Sequence, residues 1–137
     1  MMNINQAPIP TESEEQQALF RWASWKMGQK PELALLYHIP NEGKRSKTQG
    51  ARLKREGLSK GIPDICLPVP HGRYSSLYIE LKRQKGSSAT KEQKEKIELL
   101  NKYGCYARVC KGWEEAAKVI EWYMELGGAL NVSSKDT

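Results

Sequence analysis

Short apolar runs alternating with helical stretches predict an α/β fold, a mixed β-sheet flanked by helices in the order α-β-(α)-β-β-α-β-α. Three observations carry this. Two apolar runs, 64–69 and 76–83, are separated by PHGRYS and read as an antiparallel hairpin. A helical stretch, TKEQKEKIELLNKYG (90–104), then leads into the apolar run CYARVC (105–110). That helix is a crossover, so strand 105–110 should lie parallel to 76–83 with a right-handed connection.

The first helix begins near Thr11, where Thr-x-x-Glu makes a capping box and gives Glu14 a structural task. At about 100° per residue, Leu19, Trp22 and Ala23 share a face, and Glu15 lies on it one turn earlier. Glu12 lies near the same face, so periodicity leaves both acids open and turns only Glu14 away. LALLYHIP (33–40) reads as a strand ended by Pro40. Residues 46–57 suit a short exposed helix that stops at Gly57. Pro68 and Pro70 end the next strand early or place it at an edge. Thr90 caps the crossover helix with Gln93 at the capping-box position, and Gly104 terminates it. WEEAAKVIEWYMEL (113–126) closes the domain, with Ala117, Ile120 and Met124 available to the sheet.

The 137 residues suit one domain, expected over 11–126 between a flexible N-terminus (1–10) and a flexible C-terminal tail (127–137). Hydrophobic content of 39%, 28% charged residues and a mean hydropathy of -0.69 describe a globular chain with a wet surface. No run is apolar enough for a membrane span and the start lacks signal-peptide character, so a cytoplasmic location is expected. Cys66, Cys105 and Cys110 form no C-x-x-C pair and have no histidine cluster nearby, which indicates small buried hydrophobes in place of a disulfide or zinc framework.

The net charge is +6, and its distribution is uneven. Residues 42–61 carry Lys44, Arg45, Lys47, Arg52, Lys54, Arg55 and Lys60 against Glu42 and Glu56, a local +5. A second basic run spans 82–96. Two such runs flanking a candidate site point to a polyanion, and nucleic acid above all.

That candidate site lies in the hairpin. Strand interiors disfavour Asp, Glu and Lys, yet Asp64, Glu80 and Lys82 occur there. The start of the first strand faces the end of the second, so Asp64 can oppose Glu80 or Lys82. Strand alternation projects Glu80 and Lys82 together while Leu81 points into the core. Two converging carboxylates repel unless a cation lies between them. Few, hard oxygen ligands suit Mg2+ or Mn2+, which lowers the pKa of bound water and polarises a phosphodiester. Lys82 beside it could position or deprotonate the attacking water, or neutralise the phosphate as charge develops.

G-I-P-D (61–64) followed, after fifteen intervening residues, by E-L-K (80–82) matches the PD-(D/E)XK nuclease signature. With ESEEQQALFRWA, HIPNEG, LSKGIPDICLPVP, LYIELKRQKGSSATKEQ and GCYARVC followed by WEEA, the chain resembles the virus-type replication-repair nuclease (VRR-NUC) family over nearly its whole ordered length. The resemblance implies a restriction-endonuclease-like core and Mg2+-dependent hydrolysis of DNA phosphodiesters. It implies Asp64 and Glu80 as metal ligands, the Leu81 carbonyl as a further ligand, and Lys82 as catalytic lysine. The family's helix-one acid maps best onto Glu15. Gln93 looks like the glutamine that supports the site, with simple helix capping as the equal alternative. His38 and Asn41, in HIPNEG, match a motif of the family and could hydrogen-bond phosphate or a metal-bound water. By analogy, a homodimer acting on branched DNA such as four-way junctions is expected, in a bacterial or phage-infected cell. A non-catalytic DNA-binding module, or the same chemistry on RNA, is the alternative. His71, in the hairpin loop, is expected to be exposed, and Trp22, Trp25, Trp113 and Trp122 to serve core or interface.

Overall fold

The computed structural model describes residues 8–40 and 46–126. Helix α1 (Glu12–Lys26) starts at Thr11, whose hydroxyl accepts from the Glu14 amide while the Glu14 carboxylate accepts from the Thr11 amide. Those bonds hold the Glu14 carboxyl below its usual range. Leu19 and Ala23 are buried along one face of α1, and Glu15 with them.

The region expected to form strand 33–40 behaves differently. Pro31–Leu35 is a 3-10 helix, and only Tyr37–His38 pairs as a strand, β1. Pro31 supplies the fixed φ that favours a first helical turn. A four-residue apolar run such as LALL cannot by itself distinguish strand from helix. Leu33 and Leu36 still reach the core.

The basic helix α2 (Lys47–Arg55) is capped by Ser46 and Gln49 and buries no residue. Strand β2 (Ile65–Leu67) runs antiparallel to both β1 and β3 (Leu77–Lys82), and β3 runs parallel to β4 (Tyr106–Lys111). The sheet order is β1-β2-β3-β4, so β2 is interior and Pro68 marks its early end. Helix α3 (Lys91–Lys102) makes the expected crossover between the parallel strands, and α4 (Trp113–Glu125) follows β4. This mixed α/β sheet flanked by helices is consistent with a restriction-endonuclease-like domain. No helix among the described residues is long and apolar enough to cross a membrane.

Period-2 alternation in β3 divides the molecule. Leu77, Ile79 and Leu81 join the core with Leu19 and Ala23 of α1 and Ala116, Ala117, Ile120 and Met124 of α4. Tyr78, Glu80 and Lys82 therefore project to the other face, where α3 lies over Glu80. Each fully buried Leu or Ile on the first face contributes about 1.5–3 kcal/mol. That apolar side holds β3 in register while its opposite side carries charge.

One further expectation is corrected. His71 is buried, its Nε2 paired with Glu32 and its ring edge-on to Tyr123 at 5.1 Å. Its concealment arises from the 3-10 turn 39 positions away, which loop composition does not reveal. Of the two roles expected for the tryptophans, core or interface, Trp25 does not take the first, being 72% exposed.

Cys66 and Cys110 are buried, and burial pushes both thiols up, Cys110 to about 12. At pH 8 the Cys110 thiolate fraction is then on the order of 10⁻⁴, and it is the thiolate that reacts. Iodoacetamide at pH 8 should leave Cys66 and Cys110 unmodified in the folded protein and label both in urea, read by peptide mass mapping. Rapid native labelling of Cys110 would contradict this packing.

Candidate active site

The antiparallel pairing of β2 and β3 ends at Ile65 opposite Ile79. Beyond it, the Leu81 amide donates to Asp64 Oδ1 at 3.0 Å, so a carboxylate continues the ladder where strand pairing has stopped. The Asp64 carbonyl in turn accepts from the Ile39 amide at 2.7 Å and from His38 Nδ1 at 3.0 Å. A carbonyl accepts only, so His38 Nδ1 is the donor in this bond. Asp64 is thus fixed by β3 through its side chain and by β1 through its backbone. It is 7% exposed.

Register sets Glu80 across from Asp64, on the same face as Lys82. Glu80 is 1% exposed and Lys82 5%. Lys82 Nζ lies 3.5 Å from Glu80 Oε2, a buried ion pair of adjacent same-face residues. Gln93 Nε2 donates to the same Glu80 oxygen at 3.1 Å. The one side-chain amide of Gln93 both caps the helix and contacts Glu80. Its Oε1 accepts from the Thr90 amide as part of the helix cap, and its Nε2 holds Glu80.

Asp64, Glu80, Thr90 and Gln93 border a cavity of about 170 Å³ with Lys60, Gly61 and Ile62. Asp64 also borders a second cavity, of about 210 Å³, with Glu12, Ser13, Gln16, His38 and Pro40. One carboxylate therefore forms the wall between two openings. Helical periodicity leaves Glu12 open beside Glu15 but does not single out Gln16. The signal that could have found them is their separation of one turn at the start of α1, which aligns both beside the sheet end.

Glu15 sits elsewhere. Its Oε2 accepts from Gln84 Nε2 and its Oε1 from the Trp113 amide, both at 3.0 Å. Trp113 opens α4, whose N-cap Gly112 offers no side chain to the exposed amides of the first turn. A carboxylate donated from α1 fills that role and meets the positive end of the α4 dipole. Asn41, Lys44 and Arg45 lie outside the described residues. Lys47, Arg52, Lys54 and Arg55 stand exposed on α2, and Lys60 borders the first cavity.

Among the described residues no three His, Cys, Asp or Glu side chains gather into a metal cage. What the cavity offers is a pair of hard carboxylates with open space beside them. That donor set fits Mg2+ or Mn2+, which keep several waters, and does not fit a structural zinc site.

Removing the Glu15 carboxylate strands two donors, one of them a helix-start amide. Glu15→Ala should lower stability by about 2–3 kcal/mol in urea denaturation, while Glu12→Ala should change it by less than about 1 kcal/mol. Equal effects would contradict the capping role.

Among curated proteins, no relative matches the chain. A solved structure of a VRR_NUC domain protein superposes with a TM-score of 0.73 at 35% identity, over 86% of this chain and 91% of that one. The VRR-NUC domain family itself matches residues 10–114, a span that contains Glu12, Asp64, Glu80, Lys82 and Gln93. With most of its length and every element of its sheet inside that match, the chain belongs to the VRR-NUC family and forms a nuclease-like domain.

Proposed function

We propose that this protein is a metal-dependent DNA endonuclease of the PD-(D/E)XK type. The observation that carries the reading is the convergence of Asp64, Glu80 and Gln93 on one cavity, with Lys82 ion-paired to Glu80. Asp64 and Glu80, with the Leu81 carbonyl, would hold Mg2+ or, as a substitute, Mn2+. The bound ion supplies an activated water and a polarised phosphodiester.

The chain's own groups supply the rest. Gln93 and Lys82 fix Glu80 and offset its charge, so the carboxylate is preorganised before any ion arrives. The Leu81 amide orients Asp64. Lys82 would position or deprotonate the attacking water, or offset the phosphate charge as it develops. His38 Nε2 can accept a proton or a hydrogen bond from water in the second cavity. For the helix-one acid, geometry favours Glu12, which borders Asp64's second cavity, over Glu15, which caps α4. Asn41, Lys44 and Arg45, with α2 and Lys60, form the phosphate-gripping segment. Branched DNA, including four-way junctions, suits a small domain with little extra protein to read sequence. A homodimer would present two sites to two strands.

Cleavage of supercoiled plasmid and of a labelled four-way junction, with Mg2+, with Mn2+ and with EDTA, tests this. Asp64→Asn retains an acceptor for Leu81 and should abolish cleavage while binding persists. Gln93→Ala should slow it about 10- to 100-fold. A parallel RNA panel separates DNA from RNA substrates. Wild-type inactivity on every substrate and metal would overturn the enzymatic reading in favour of a binding module.

Binding by α2 has its own signature. Replacing Arg52, Lys54 and Arg55 with Gln should weaken junction affinity and flatten its logarithmic salt dependence by about 0.9 for each phosphate no longer neutralised. An unchanged slope would exclude α2 from the DNA interface.

A further inference from the structure

We infer that Gly61 is a positioning residue, a contact point that sets the distance between the two walls of the cavity. The inference deepens the nuclease reading and rests on it for its consequences in catalysis. One wall is the segment from Lys60 to Asp64, and the other is the first turn of α3, with Thr90 and Gln93. Gly61 is buried, with φ +89°, and its backbone lies flat against that turn. A Cβ at this position would stand 2.6 Å from both the carbonyl carbon and the carbonyl oxygen of Glu92, and 3.0 Å from the Gln93 amide nitrogen. These are backbone atoms of a capped helix, so no flexible side chain can turn away to make room. A second fastening lies beside the first, where Lys96 Nζ donates to the Lys60 carbonyl at 3.3 Å.

The consequence follows from distances. Carbon atoms rest about 3.5–4.0 Å apart, so any side chain at 61 must push α3 outward by roughly 1 Å. Gln93 travels with α3, and its 3.1 Å bond to Glu80 has no such slack. A side chain at 61 therefore releases Glu80 from Gln93 and widens the cavity between Asp64 and α3. Displacements of about 1 Å at a reacting centre cost about 10²-fold in rate.

Positive φ alone also strains a substituted glycine, so a control is needed. Gly104 supplies it. It has φ +93°, nothing lies within 4 Å of where its Cβ would stand, and it sits at the far end of α3. Junction cleavage by Gly61→Ala should fall 10- to 100-fold in kcat with DNA affinity unchanged, whereas Gly104→Ala should cleave at the wild-type rate. If Gly61 acts through Gln93, the double variant Gly61→Ala/Gln93→Ala should lose little more than the worse single variant. Full additivity, or equal losses in the two glycine variants, would overturn the inference while leaving the nuclease reading intact.

The side-chain amide resonance of Gln93 in 15N-labelled protein reads the contact without reference to cleavage. It should shift in Gly61→Ala and stay in place in Gly104→Ala. Should wild type cleave nothing, the nuclease reading fails and this resonance still decides the contact. Should Gly61→Ala fail to fold, Lys96→Ala removes the second fastening without adding atoms and should move the same resonance. An unmoved resonance overturns the inference in either variant.

Discussion

The Asp64 carboxylate accepting from the Leu81 amide is the bond on which the site depends. It forms at the point where β2 ceases to pair with β3, and it takes the place of a missing strand carbonyl. An unpaired β3 amide at that depth would carry a desolvation cost of about 1–3 kcal/mol. Asp64 meets that need, and in doing so becomes fixed opposite Glu80. Structural demand and chemical placement coincide in one side chain.

The same economy recurs around Glu80. A buried glutamate and a buried lysine are each unfavourable alone, and breaking a buried ion pair typically costs about 3–5 kcal/mol. Lys82 and Gln93 together hold Glu80 in place, and Gln93 is itself immobilised by Thr90 at the start of α3. The apolar side of β3, packed against α1 and α4, supplies the stability that permits this charged side to exist. Glu80 and Lys82 stand on an interior strand, where neighbours on both sides limit their movement.

Helix α1 shows how one element serves two tasks. Glu12, near its start, borders the cavity shared with Asp64 and His38, while Glu15 reaches into the start of α4 and Gln84. The two residues differ by three positions and by function. Glu15 ties α1 to α4 across the core face, which keeps the α1 N-terminus beside the sheet end where Glu12 borders the cavity.

Sequence alone determined the elements whose signals are local. Capping boxes at Thr11 and Thr90, the period-2 pattern of 76–83, the glycine stops and the crossover spacing specify α1, α3, the hairpin and the parallel strand, because each depends on neighbours a few residues apart. The placement of Asp64 opposite Glu80, with Lys82 on the same face as Glu80, was legible for the same reason, since hairpin register follows from loop length. Tertiary structure decided the rest. Leu33 to Leu35 turned helical because Pro31 favours it, and of the apolar run only Leu33 and Leu36 are buried as large core side chains. His71 became buried because Glu32 was brought to it. Glu15 became a cap for a helix 98 residues away, and Gly61 a contact for α3, by packing that no local spacing encodes. Long-range contacts are products of the assembled sheet, and the sequence records them only as residue types that tolerate the result.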